Sequence, residues 1–365
     1  MNEMRSIKTL ILFAIVLVII ISCVESETPS DIPPPLDPNA NYIYASKIVQ
    51  GIALRPNGKL AYALGVDGSW FEGKIDNIAD LTTGGIVLKN DGTVWQLLDS
   101  AGQLNPIQIN GFLDIKAIAL GAGPTIGYIL ALKNDGTVLA VGKNNYGQLG
   151  DNTYVDRSTP VAVEGLSGVV AIRAGESAHS IALKDDGTVW GWGYNTSGEL
   201  GASGLGSTVA MPQQINGFAD IISISAGNAT TFGVKNDGTL WACGNNAASQ
   251  LGTGSGVNTS TPTLVSGLEN VTMVAATNLY TLALKGDSTV WAWGFNSYGN
   301  LGDGTTKQRA TPVKVKYLTR IKYISTGSYA IEKNGICWAW GDNSYGQLHL
   351  KTYNTYVAYP KRVEQ

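Results

Sequence analysis

The chain has 365 residues, a formal net charge of -3, 15 % charged and 44 % hydrophobic residues, and 45 glycines. That composition describes a compact, turn-rich chain and excludes a disordered or coiled-coil protein. The balanced charge, with no block of like sign, excludes the basic face that a nucleic-acid partner demands.

In chain order the first element is a leader. Met1 to Lys8 carries Arg5 and Lys8, and Leu10 to Ile21 is wholly apolar, the two regions of an export signal. An apolar core of about twelve residues is too short to span a bilayer comfortably. It ends at Ile20-Ile21-Ser22-Cys23, which resembles the lipobox of bacterial lipoproteins. Residues 1–22 are therefore expected to be a lipoprotein signal peptide and Cys23 the lipidation site. A thioether-linked diacylglycerol holds the chain to a membrane through two acyl chains, each buried methylene contributing about 0.8 kcal/mol. Residues 23–40, rich in proline and acid, read as an extended tether. The expected location is the outer side of a bacterial membrane. Val24, rather than Asp, follows the cysteine, which permits sorting to the cell surface.

From residue 41 to 365 the chain repeats. Leu183-Lys-Asp-Asp-Gly-Thr-Val-Trp-Gly-Trp-Gly193 returns in near copies beginning at Leu54, Leu88, Leu132, Val234, Leu284 and Ile331. Seven β-type units of about fifty residues mean a propeller or an array. In the fourth unit, strands are predicted at Val169–Ala174, His179–Lys184, Thr188–Gly193 and Thr208–Ile215, from apolar runs and alternation. Asp186-Gly187 reads as a two-residue type I′ hairpin turn, with positive φ at both central positions. The fold class predicted is all-β: a seven-bladed β-propeller of four-stranded antiparallel blades, closed as a monomer.

Side chains alternate along a strand, so Trp190 and Trp192 share a face, as do Trp95 with Leu97, Leu139 with Val141, Trp241 with Cys243, Trp291 with Trp293 and Trp338 with Trp340. Packing between neighbouring blades is their expected use. A second phrase follows five of these pairs, all but Trp95 with Leu97: Asn144-Asn-Tyr-Gly-Gln-Leu-Gly150, with counterparts starting at Asn195, Asn246, Asn296 and Asn343. Its asparagine is expected to cap local backbone groups. Pro106, Pro160, Pro212, Pro262, Pro312 and Pro360 then open the last strand, which lacks an N–H there and belongs at the outer edge.

Taken together, Leu-Lys-x-Asp-Gly-Thr-Val-Trp-x-Trp-Gly, Asn-x-x-Gly-Gln-Leu-Gly and a Thr-Pro strand resemble the regulator of chromosome condensation repeat. Ala174-Gly-Glu-Ser-Ala-His-Ser-Ile-Ala-Leu183 is similar to the same family's Gly…His-Ser-x-Ala-Leu signature, with one extra residue before His179. The resemblance covers roughly residues 41 to 365, with the first two units degraded. It implies a seven-bladed propeller. Nucleotide exchange and chromatin contact, known for nuclear members, fit neither an exported setting nor a slightly acidic chain. The setting is similar to that of the type II β-lactamase inhibitory protein, whose propeller loops cover a protein target.

Catalysis finds little support. His179 and His349 are the two histidines; the first occupies a repeat position held elsewhere by Tyr280 and Thr230, and the second replaces a loop glycine. Asp-Gly-Thr-x-Trp has the wrong register for a sialidase Asp-box, Arg173 lies in an apolar strand, and no metal-ligand spacing occurs. Asp135, Asp186 and Asp237 stand singly at hairpin tips, without the clustered oxygens calcium requires. No catalytic residue, metal or cofactor is expected. Cys243 and Cys337 face opposite sides of non-neighbouring blades, so no disulfide between them is expected. The expected function is a scaffold presenting loops to a protein partner, with Tyr146, Tyr194, Tyr298 and Tyr345 as contact candidates. The alternatives are a glycan-binding adhesin and, third, a sialidase-like hydrolase.

Overall fold

A computed structural model describes residues 45–364, apart from 46, 50–51, 64–69, 73–74, 83, 99–103, 122–126, 203, 345, 349 and 351–353. The leader, Cys23, the tether to residue 40, Tyr345 and His349 lie outside the described residues.

The strands pair into four-stranded antiparallel sheets, the strands of each lying side by side in chain order. Sheet four comprises Val169–Ala174, His179–Lys184, Val189–Tyr194 and Thr208–Gln214. The chain is an all-β propeller of four-stranded blades. Numbered along the chain, sheets two to seven run from Ile78 to Arg362 and are blades with described interiors. Sheet one, spanning Lys47–Val49, Ile52–Leu54, Leu60–Ala63 and Trp70–Glu72, repeats the same pairing. Within its strands only the Leu54 side chain is described. The expectation of seven equivalent blades is thus met in side-chain detail by six.

The hairpins correct the expected turn. Gly187 donates its N–H to Lys184 O at 3.0 Å and Lys184 donates to Thr188 O at 3.0 Å, so three residues connect the strands rather than two. Gly187 has φ +78, whereas Asp186 is not in the left-handed region. This is a type I turn closed by one left-handed residue. Asp186 is needed for its carboxylate instead, whose Oδ1 accepts from the Thr188 amide at 3.0 Å and the Thr188 hydroxyl at 2.6 Å. Asp91, Asp135, Asp237 and Asp287 repeat that clamp. In sheet six, Ser288 takes the left-handed position with φ 65.

The paired aromatics divide the work between them. Trp192, Trp293 and Trp340 are wholly buried; Trp190, Trp241 and Trp291 are half-buried, each under a lysine of its own hairpin, Lys184, Lys235 and Lys285. Each pair packs on the blade before it. Trp190 and Trp192 join the core of sheet three, Trp241 and Cys243 that of sheet four, Trp291 and Trp293 that of sheet five, and Trp338 and Trp340 that of sheet six. Among the described residues, none of blades three to six buries its apolar face alone, and the neighbour's indoles supply up to about 4–6 kcal/mol each by area removed from water. Cys243 and Cys337 are free, buried and in separate clusters. Pro160, Pro212, Pro262 and Pro312 lie in fourth strands, at the blade edge.

Candidate partner-binding face

Strand direction gives the propeller two unlike faces. In every blade the first strand ends, the second begins, the third ends and the fourth begins on one side, here the loop face. Tyr194, for instance, donates its N–H to Ala178 O at 3.1 Å across that side. The Asp-Gly turns occupy the other side, the hairpin face.

On the loop face the Asn phrase builds a self-capped loop. Asn144 Oδ1 accepts from Leu149 N–H at 2.9 Å, and Asn195, Asn246, Asn296 and Asn343 accept likewise from Leu200, Leu251, Leu301 and Leu348. The amide nitrogen reaches across the loop: Asn144 Nδ2 donates to Thr153 O and Asn296 Nδ2 to Thr305 O, both at 3.0 Å. In blades three and six an ion pair locks the far end, Arg157 with Asp151 and Arg309 with Asp303, each at 2.7 Å. Burial works against ionising Asp303, yet hydrogen bonds from Arg309 and Thr305 keep its carboxyl below the ordinary range. Loops held this way lose little entropy when they bind.

The same phrase fastens each blade to the next. Gln148 O accepts from Ser180 Oγ and Trp192 Nε1, both at 2.9 Å; Gln250 O accepts from Thr281 Oγ1 and Trp293 Nε1, both at 2.8 Å. Between blades four and five the pattern changes. Glu199 replaces the glutamine, with its backbone O accepting from Thr231 Oγ1 at 2.7 Å and from the Cys243 thiol at 3.6 Å. Its side chain is fully buried, Oε2 accepts from Ser197 N–H at 2.8 Å, and Oε1 has no partner. Burial pushes the Glu199 carboxyl up to about 7 and raises the Cys243 thiol beyond its usual range.

His179 is buried beside this seam. Its Nε2 lies 3.3 Å from Thr231 Oγ1, and because that hydroxyl donates to Glu199 O, Nε2 carries the imidazole proton. Burial lowers its pKa to about 4, so the ring is neutral near pH 7. A neutral, enclosed imidazole sealing two blades has a structural task, as its repeat position indicates.

Three of the four tyrosines are described. Tyr146 and Tyr298 are 43 % and 44 % exposed. Tyr194 is half-buried and meets Tyr146 edge to face, with ring centroids 5.1 Å apart at 77°. The two rings come from neighbouring blades. Tyr298 pairs instead with Phe295, 6.2 Å away in its own blade. Sequence reasoning missed the outer-rim residues Tyr154, Val155 and Val257, which are exposed on the same loops; their variation between repeats was the available signal. It also missed Arg173, which faces the central channel. No group of three or more metal-ligating side chains occurs among the described residues.

A profile for the RCC1-like domain matches residues 99–365. The chain is 35 % identical over 153 residues to human probable E3 ubiquitin-protein ligase HERC6, covering 40 % of this chain and 15 % of that protein. It is 32 % identical over 128 residues to the Arabidopsis thaliana mitochondrial RCC1 domain-containing protein RUG3, covering 34 % of this chain and 28 % of that one. The chain therefore spans well under half the length of these relatives. Among solved structures, human WBSCR16 is similar with TM-score 0.70 at 22 % identity, covering 88 % of this chain and 90 % of that one. Yeast RCC1 (Prp20), solved bound to Kap60, gives TM-score 0.71 at 18 % identity, covering 91 % of each chain. Another structure of Prp20p from Saccharomyces cerevisiae, described with its binding properties to Gsp1p and histones, gives 0.67 at 20 %, covering 79 % of this chain and 77 % of that one. At such identities these structures speak for the fold.

Proposed function

The chain belongs to the RCC1-like domain family, and on that premise we propose that it is a non-catalytic scaffold whose loop face binds a protein partner. The observation that carries this reading is the Tyr146–Tyr194 pair, which joins two blades in one aromatic surface on capped, pre-ordered loops. Only the class of ligand, a protein, carries over from relatives studied with Gsp1p, histones and Kap60. The Lys47–Glu72 sheet is proposed to complete the ring as a seventh blade, since its pairing repeats the others. The leader sequence supports export and anchoring at Cys23 on the outer side of a bacterial membrane, with residues 23–40 as the tether.

Two experiments test the proposal. Photocrosslinkers placed at Tyr146, Tyr298 and, as control, at Ile222 should capture one discrete protein from the loop face and none from Ile222. Capture through Ile222 alone would sink the assignment of the face. Cys23→Ala should move the protein from the membrane to the soluble fraction; unchanged fractionation removes the lipid anchor.

A further inference from the structure

The first strands of six blades enclose a central cavity of about 330 Å³. At equivalent places five of them present Thr82, Ala119, Ser225, Ala275 and Ser325, all small; the first strand of sheet four presents Arg173. Arg173 is thus the one cation among the described residues that line this lumen, at a place its neighbours fill with small side chains. Its Nη1 donates to Ile172 O at 2.7 Å. The guanidinium makes no other hydrogen bond among the described residues, so four of its five N–H groups remain to be used. Arg173 is the next-to-last residue of its strand, which ends at the loop face, so the guanidinium sits toward the loop-face mouth, beside the turn 175–178 that leads to the second strand.

We infer that this mouth holds a carboxylate on the Arg173 guanidinium, an inference that rests on the loop face being the binding face. The planar fork of arginine meets a carboxylate through two parallel N–H···O bonds. The Ser225 hydroxyl lines the same lumen and, accepting from the Ala276 amide at 3.2 Å, keeps its own O–H as a further donor. Nearby charge selects a carboxylate over a phosphate. Asp80 acts on Arg173 through space, and its Oδ1 is held by the Leu81 amide at 2.8 Å; the Tyr323 phenol, pushed up to about 12 by burial, stays neutral. With Asp80 already balancing Arg173, a monoanion adds one net negative charge to this lumen and a dianion two, so the monoanion is favoured. The carboxylate belongs either to a free small acid or to an Asp or Glu tip of a partner loop.

The test uses the full chain and two probes, acetate and a short capped peptide with one central aspartate. Binding is read from the arginine Nε–H resonances, of which the seven arginines give few enough to resolve, and from titration calorimetry. One Nε resonance should shift saturably, and it should be the one missing from Arg173→Gln. Affinity should fall about tenfold or more in that variant and rise in Asp80→Asn, which removes a competing charge. The gain in Asp80→Asn guards against reading a misfolded Arg173→Gln as a lost site. Equal binding of both probes identifies a free acid as sufficient. Tighter peptide binding, weakened by Tyr146→Ala while acetate binding is not, identifies a partner side chain. Absence of an Arg173 shift with either probe, or unchanged affinity in Arg173→Gln, overturns the inference. Loss of crosslinking at Tyr146 with the Arg173 shift intact would instead sink the partner-face reading and leave the anion site.

Discussion

Replacing Glu199 by Gln should stabilise the protein, by an amount that depends on pH. Glutamine is the residue at this place in blades three and five, where Gln148 and Gln250 accept from the Tyr146 and Ala248 amides at 2.9 and 2.8 Å. Glu199 makes the same bond from Oε2, but its buried Oε1 is unpartnered. Burial raises its pKa from 4.5 to about 7, which corresponds to about 3 kcal/mol between the protonated and ionised forms. Below pH 4.5 the carboxyl is protonated in both folded and unfolded chains, and its ionisation contributes nothing to the difference between them. As pH rises from 4.5 to about 7 the unfolded chain ionises first, so folding stability falls, and the full loss is reached above pH 7. His179 has the opposite sign: burial holds it near 4, so its contribution disappears as pH falls from 6.5 through 4. It is common to both proteins and cancels in their difference. Urea unfolding of wild type and Glu199→Gln at matched ionic strength between pH 4.5 and 8 should give a stability difference that grows toward about 3 kcal/mol in favour of the variant. A pH-independent difference, or a variant less stable at pH 8, would refute the reasoning.

Gly187→Val should destabilise by about 1–2 kcal/mol in urea unfolding, because φ is +78 there and an added Cβ would lie 3.3 Å from Asp220 Cα; a neutral result contradicts the turn. Trp192→Ala should cost about 3–5 kcal/mol, since the ring is fully buried and holds Gln148 O. Trp190→Ala, under Lys184 at 5.7 Å, should cost less than half as much by the same unfolding assay, and equal costs would contradict the division between the two positions. Tyr146→Ala should lose about 0.5–1.5 kcal/mol of ring pairing while weakening partner capture far more than it lowers the melting temperature.

Much of this architecture was legible because each unit repeats the same physical solution. Val169–Ala174, bounded by Gly168 and Gly175, and His179–Lys184, the run leading into the Asp186-Gly187 turn, were readable residue by residue. The turn was misread because Asp186-Gly187 matches the two-residue rule as a dipeptide, while the count from Lys184 to Thr188 shows three. Treating Trp190 and Trp192 as equals followed from their shared face; depth along that face is set by the preceding blade, which a single strand does not reveal. Arg173 looked misplaced in an apolar strand for a related reason. The first strand has one side toward a channel that exists only once the blades surround it. Glu199, by contrast, was visible as the acid in a slot otherwise filled by Gln148, Gln250, Asn300 and Gln347, and comparing the units slot by slot would have found it.

The most direct test of the binding-face claim is an amide hydrogen-exchange map of the full chain with and without its crosslinked partner. Protection should gather in the loop-face segments 144–156, 175–178, 195–202, 246–258 and 296–308, and spare the Asp-Gly turns at 185–187, 236–238 and 286–288. Protection centred on those turns, with the tyrosine loops unchanged, would contradict it.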